Sequence, residues 1–455
     1  VLKNTDSEWY GKHLYNAGWC YLIEGNFKHA LDLIKLSFET SKNKKYVSMQ
    51  EQIISAIGIF FVQADATYEG IEFFEANTNP SSTHLLRLAQ SSISKNTFSI
   101  TQDVLKAALA DTKKRNDPNA EMKIRLGQLD IYRESKKDDL FFETANSVLD
   151  LHKKSTLDKD DLFMAQNKIK EIAGFMQINL IKDKTQENVE YAQDDYKKIM
   201  RYFDILAIID LPNKNLYRYY QGETALSAHN FQVALKYYVR SIINSKLIKK
   251  QDALNAKNQA KVQNKNQMNE LSKDQANENT KELAKEDINK KSLEAILATI
   301  ELAKLPKEKE NQYTIFTFKN FVISYPQSEK SQAIYQKLFN KYFELNKVKK
   351  AVNVLMAYTY YYPADANIHR EMLTQVLDSY IKQKNTDKLA FWIEKIEKGY
   401  LQFSIDYIQK SIAALGDLLF SKYQMLEKKG QIKEAMIGYE SIFDSKKYPK
   451  RTKAE

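Results

Sequence analysis

The stretch GKHLYNAGWCYLIEGNFKHALDLIKLSFET, residues 11–40, sets Ala17 and Gly18 among Tyr15, Trp19 and Tyr21, and repeats the device at Ala30, just past the lone Gly25. Glycine inside a helix costs roughly 1 kcal/mol against alanine, so its use here implies that another backbone or side chain must come close. On both sides of Gly25 the apolar residues recur at spacings of three and four, the period of a helix with one buried face. The stretch reads as two helices meeting at small residues across a turn.

The same device recurs along the chain. Residues 215–248, NLYRYYQGETALSAHNFQVALKYYVRSIINSKLI, align with 11–44, so that Gly222 matches Gly18, Phe231 matches Phe27, Ala234 matches Ala30 and Tyr238 matches Ile34. A third copy runs over 332–363, with Phe339 at the small site, Tyr342 aligned with Tyr21, Ala351 with Ala30, and Pro363 closing the unit. A fourth, over 416–449, carries Gly430 at the turn, then Ala435, Tyr439 and Pro449. Between 45 and 214 the same periodicity continues without a clear copy, and most of the prolines fall between the predicted helices, where a missing N–H costs nothing.

This pattern resembles the tetratricopeptide repeat, a 34-residue helix-turn-helix unit. The resemblance implies an all-α, right-handed superhelical solenoid of about ten to twelve helix pairs. One stretch breaks it. Residues 249–291 hold no aromatic, Gly or Pro and are rich in Lys, Asn, Gln and Glu, too polar to order themselves by packing on both sides. The expected organisation is therefore helical repeats over 1–248, a polar insertion over 249–291 that is part extended helix and part mobile, and further repeats over 292–455.

Composition agrees with an array of helices. Only 12 Gly and 7 Pro occur in 455 residues, and the chain is 43% hydrophobic and 28% charged, with a mean hydropathy of −0.55. These figures exclude wholesale disorder. The longest uncharged apolar run, Ile53 to Val62, is half the length of about 20 residues that a bilayer-crossing helix needs. The net charge of +11 comes from interleaved signs, as in KEKEN and IEKIEKG, which describe a solvated helical surface rather than a nucleic-acid footprint. The chain opens at Val1 rather than Met and closes on YPKRTKAE, which reads as the start of another helix. It is taken as a piece whose signal peptide, if any, lies outside it. The single cysteine, Cys20, cannot form an internal disulfide and is expected to be a buried thiol.

Catalytic constellations are missing. The six histidines include no pair at i, i+4, so no zinc site of the H-E-x-x-H kind is expected. The segment DKDDLFMAQNKI, residues 158–169, starts like a calcium loop but lacks its glycine and its final glutamate. Its carboxylates are expected to cap a helix instead. With no glycine-rich phosphate loop and no G-x-S-x-G, the chain is expected to be no enzyme and to need no metal or cofactor.

The resemblance implies a groove lined by the first helix of each repeat. Its candidate residues are Lys12, Tyr15, Trp19 and Ile23 in the first copy and Tyr219, Glu223 and Leu226 in the second. Tyr15 and Trp19 could equally serve to pack the adjacent repeat. Because Tyr15 and Trp19, like Tyr219 and Glu223, stand where family members that grip acidic chaperone C-termini carry Lys and Asn, that activity is not expected. The packing positions that define the repeat are Ala17, Gly18, Tyr21, Ala30, Gly222, Ala234, Tyr342, Ala351 and Ala435. The Tyr-Pro junctions in NFVISYPQSEKSQAIYQKL and IFDSKKYPKRTKAE look like those of bacterial cell-envelope repeat proteins. The general character is similar to periplasmic scaffolds of flagellar motors. The implied function is a non-enzymatic periplasmic scaffold for other proteins, with motor or envelope components or another repeat protein as partners and no nucleic acid. The alternatives are an outer-membrane assembly module, a cytoplasmic location, and a basic solenoid that binds RNA.

Overall fold

The computed structural model describes residues 5–95, 98–182, 189–243, 275–400, 403–445 and 447–448. Among them are helices and turns and no strand. The chain divides into two compact units between residues 288 and 289. The first holds α1 (Tyr10–Ile23), α2 (Phe27–Thr40), α3 (Gln50–Gln63), α4 (Thr67–Asn77), α5 (Ser82–Ser92) and α6 (Phe98–Arg115). It continues with α7 (Pro118–Glu134), α8 (Asp138–Lys154), α9 (Lys159–Lys182), α10 (Val189–Ile209), α11 (Lys214–Ser227) and α12 (231–243). Helix α13 (Gln275–Ala303) contains the division. The second unit continues with α14 (Lys307–Ser324), α15 (Ser331–Glu344), α16 (Val348–Tyr361), α17 (Ala366–Lys382), α18 (Thr386–Glu397), α19 (Ile405–Lys428) and α20 (Ile432–Asp444).

Within each unit, every substantial helix contact joins elements one or two apart in the chain. Neighbours such as α1 and α2 or α5 and α6 pair, and alternate helices such as α3 and α5, α5 and α7, or α17 and α19 stack. This locality defines a solenoid, in which each repeat is buried only by its neighbours. In the first unit one continuous core runs from Ala30 to Tyr217. The inserted segment anticipated at 249–291 lies largely outside the described residues, as does Pro449. Helix α13 begins at Gln275, inside that segment, and runs through Ser292.

A recurrent capping turn sets the register of the pairs. After α1 the residue Gly25 adopts φ +82°, while Asn26 N–H donates to the Tyr21 carbonyl and Gly25 N–H to that of Leu22. This is the Schellman arrangement that satisfies the last carbonyls of a helix. The same pair of bonds closes the turns at Asp65, Asn116, Lys136, His229, Asn346, Lys384 and Gly430, all with positive φ, and the bond donated by the residue after the left-handed one measures 2.8–3.1 Å throughout. Four residues past the turn's second member stand Ala30, Gly70, Ala234, Ala351 and Ala435, all buried. At three turns that position is Glu121, Phe141 or Leu389 instead.

The two best-matched copies share their internal geometry. A Cβ on Gly18 would lie 2.7 Å from Ile34 Cγ1, and one on Gly222 would lie 2.4 Å from Tyr238 Cε1. Ile34 and Tyr238 are themselves fully buried. Ser37 Oγ donates to the Gly11 carbonyl at 2.6 Å, and Ser241 Oγ donates to the Asn215 carbonyl at 2.7 Å, the same bond one repeat copy later. Ala17 and Tyr21 are half-buried, so Gly18 is the residue of this group at the helix contact. In the 332–363 copy Phe339 and Tyr342 are buried, and Gln332 Nε2 donates to Tyr358 Oη at 3.2 Å in place of the serine bond. In the 416–449 copy the sizes are exchanged between helices. Tyr423 of α19 occupies the small site, and Gly438 of α20 makes room for it, with 2.3 Å between the ring and a Cβ at 438. Gly127, on α7, is small for the sake of Leu86 on α5 rather than its own partner α8.

Cys20 departs from expectation. It is exposed, because α1 turns Gly11, Leu14 and Gly18 inward and a residue two positions on lies roughly 200° round the helix.

Two stability outcomes follow. Gly222→Ala should lower the unfolding free energy by about 1–3 kcal/mol, since the fully buried Tyr238 ring has nowhere to go, whereas Gly174→Ala, with nothing within 4 Å of its Cβ, should raise it by about 1 kcal/mol. Gly25→Val should cost about 1–2 kcal/mol for the left-handed backbone, while Lys384→Gly at the equivalent turn should stabilise by up to about 1 kcal/mol. Urea titration followed by circular dichroism checks all four.

Candidate functional site

Among the first helices of the first three pairs, α1 meets α3 through the Trp19 and Phe60 rings, and α3 stacks on α5. On α1 Lys12, Tyr15, Trp19 and Ile23 form a stripe at spacings of three and four. Lys12 is exposed, with its ammonium 5.2 Å from the Trp9 ring. Tyr15 and Trp19 are half-buried and meet edge to face at 6.4 Å. Trp19 in turn packs edge-on against Phe60 of α3 at 5.0 Å, so its ring is committed to the adjacent repeat. Ile23 closes the stripe and is 84% exposed. A β-branched apolar side chain so far in water gains nothing for the fold and is available to a partner.

A cleft of about 380 Å³ opens between α3 and α5. Ile54, Gly58 and Ile59 form one wall and His84, Arg87 and Gln90 the other, with Phe74 of α4 at the base. A Cβ at Gly58 would make ordinary contacts with Leu88 at 3.8 Å and Phe74 at 3.9 Å. His84 stacks on Phe74 at 5.5 Å with the rings 10° from parallel. Burial, reinforced by the positive Arg87, holds its imidazole below the usual histidine range. These residues escaped sequence reasoning because α3 to α6 show no clear repeat copy; the one available signal was the glycine, Gly58, in an otherwise bulky apolar helix.

The candidates on α11 are used differently. Tyr219 is half-buried beside Tyr220 and Tyr238 at 6.0 and 5.8 Å. Glu223 accepts the Tyr238 hydroxyl at 2.5 Å, and burial together with this carboxylate pushes the Tyr238 phenol far up. Leu226 is half-buried. Tyr219 and Glu223 are thus engaged with the second helix of their own repeat, and the structure does not bring them together with the α1 stripe.

Asp158 caps α9: its Oδ1 accepts from the amides of Asp160 at 2.9 Å and Asp161 at 3.2 Å. Among the described residues no group of three His, Cys, Asp or Glu is placed to hold a metal ion, and no helix is long and apolar enough to cross a membrane.

No protein-family profile matches the chain, and no curated protein matches it. Among solved structures it is similar to a circular tandem repeat protein with novel repeat topology and enhanced subunit contact surfaces, at 10% identity and a TM-score of 0.27, over 96% of this chain and 94% of that one. It is also similar to the human IFIT1 dimer with m7Gppp-AAAA, at 10% identity and a TM-score of 0.22, over 77% and 72%. Both superpositions are loose, and the assignment of the fold stands on the helix packing itself.

His84 has a counterpart in the second unit. His369 is 1% exposed, and burial lowers its pKa against the opposing pull of Asp365 and the Tyr362 carbonyl. Both imidazoles sit below the ordinary 6.5, so the unfolded chain takes up protons first as pH falls. Their contribution to stability is full above pH 6.5 and is lost below it. The thermal midpoint should fall between about pH 7.5 and about pH 5.5, and His84→Gln and His369→Gln should each shrink that fall.

Proposed function

We propose that the chain is a non-enzymatic interaction scaffold of the tetratricopeptide kind, which holds other proteins on the α1–α3–α5 surface. The observation that carries this reading is the apolar and open character of that surface. Ile23 of α1 is 84% exposed, and Ile59 of α3, 41% exposed, lines the open cleft between α3 and α5. The glycine seats at 18 and 222 and the alanines at 30, 234, 351 and 435 support the repeat assignment, as does the capping turn that places them.

The finer setting in the proposal is a bacterial cell envelope, with the periplasmic part of a flagellar motor as its most specific form. What supports it is the Tyr-Pro junction. Of the two junctions named from the sequence, Pro449 of the second lies outside the described residues; at the first, Tyr325 ends α14 with φ −133° and ψ 61°, and Tyr362, also followed by proline, ends α16 with φ −127° and ψ 58°. The Tyr362 hydroxyl donates to the Pro326 carbonyl at 3.1 Å, tying one junction to the next. A basic RNA-binding solenoid is the competing reading, against which stands the interleaving of the charges behind the net +11.

Cross-linked capture from the native host tests the reading. Wild-type chain should retain a defined protein partner after nuclease treatment, and Ile23→Asp combined with Ile59→Asp should lose it without changing the thermal midpoint. Each exchange costs the complex on the order of 1–3 kcal/mol through the lost apolar contact. Retention by the variant, or release by nuclease alone, would overturn the assignment.

A further inference from the structure

We infer that the second unit carries a separate docking groove for an acidic segment of a partner protein, between α16 and α18. The groove has a volume of about 730 Å³ and is lined by Lys347, Lys349, Lys350 and Lys388, with no Asp or Glu on its walls. That volume admits a few side chains rather than a folded domain. All four lysines are exposed, and none has a carboxylate partner among the described residues, although elsewhere in the chain lysines such as Lys168, Lys198 and Lys330 do.

The arrangement opposes what the helices alone would select. The groove gathers the first turns of α16 and α18, where the aligned peptide dipoles favour negative charge. The first turn of α16 has no acidic residue and holds Lys349 and Lys350. Asp387 is the one acidic residue in either first turn and is not on the groove walls, so positive side chains at the positive ends of two helices form a surface complementary to carboxylates.

The aromatic residues favour a peptide over a nucleic acid. Lys388 and Lys395 lie 5.9 and 5.1 Å from the Phe391 ring, and Lys395 is also 5.6 Å from Trp392 and 5.3 Å from Tyr400. Trp392 and Tyr380 are buried. Stacking of bases needs free ring faces, and the one substantially exposed ring already carries two ammonium groups. Carboxylates can pair with these ammonium groups without moving them, while the edge of Phe391, 48% exposed, and Val352 accept an apolar side chain between the acids.

The inference rests on the scaffold reading but concerns another surface, so either can fail alone. Its test is fluorescence anisotropy on the full chain at low salt, with a labelled peptide of alternating Glu and Leu. Binding should be saturable, and the triple variant Lys349→Glu, Lys350→Glu, Lys388→Glu should weaken it about tenfold or more. The matched variant Lys28→Glu, Lys113→Glu, Lys114→Glu, on exposed positions of the first unit, should weaken it by less than about threefold. Circular dichroism confirms folding, and the same lysines changed to Gln serve should charge reversal unfold the unit. Absent binding, equal losses in both triple variants, or tighter binding of labelled oligouridine through the same lysines would overturn the proposal.

Discussion

The register of the capping turn is the constraint on which the rest of the structure depends. Once the carbonyl three positions from the end of one helix has accepted the amide just past the left-handed residue, the next helix can begin in one way only. The residue four positions on then faces the preceding helix. Where that residue is Ala or Gly the two axes can approach closely, and the large neighbours of both helices interlock around the contact. A shift of one residue would swing the small side chain by about 100° and put a bulky one in its place. Local hydrogen bonding thus decides tertiary packing, repeat after repeat.

Size complementarity is conserved in sum rather than by position. Glycine stands on the first helix against Tyr238 in one copy and on the second helix against Tyr423 in another. A tight interface requires that the paired volumes fit, and either side can yield. The buried rings keep their hydroxyls satisfied: Tyr238 by Glu223, Tyr217 by Asp210 at 2.5 Å, and Tyr358 by Asp365. Burial and its hydrogen-bond partner push the Tyr358 phenol up to about 12, so these contacts stay neutral and bonded through the physiological range.

The helical array was legible in the sequence because its signals are periodic. Apolar spacing located α3 to α10, and the Gly18–Ile34 and Gly222–Tyr238 correspondences pointed to contacts that the structure contains. The turns were half legible. Gly25 and Gly430 announce a left-handed residue, but Asp65, Lys136, His229, Asn346 and Lys384 adopt the same conformation without glycine, held there by the two bonds around them. Cys20 misled because an apolar neighbourhood in sequence is not a face of a helix. The candidate site was legible on α1 and not beyond it, since whether Trp19 meets a partner or Phe60 depends on a helix some forty residues away. The lysine groove was hidden for a related reason: 347–350 and 388 look like scattered surface charge until the stacking of α16 and α18 brings them together.

A solenoid has no single interior in which distant residues must converge, and this bears directly on what the chain can do. Contacts confined to helices one or two apart instead produce extended faces, each shaped by two or three consecutive helices. The cleft on α3 and α5, where Ile54, Ile59 and Phe74 face His84, Arg87 and Gln90, and the lysine-lined groove on α16 and α18 are two such faces, in different units and with different chemistry. Because stability in such an array is summed from neighbour to neighbour, a change in one face leaves the packing of the other untouched. Two surfaces of different composition can therefore be shaped independently on one chain.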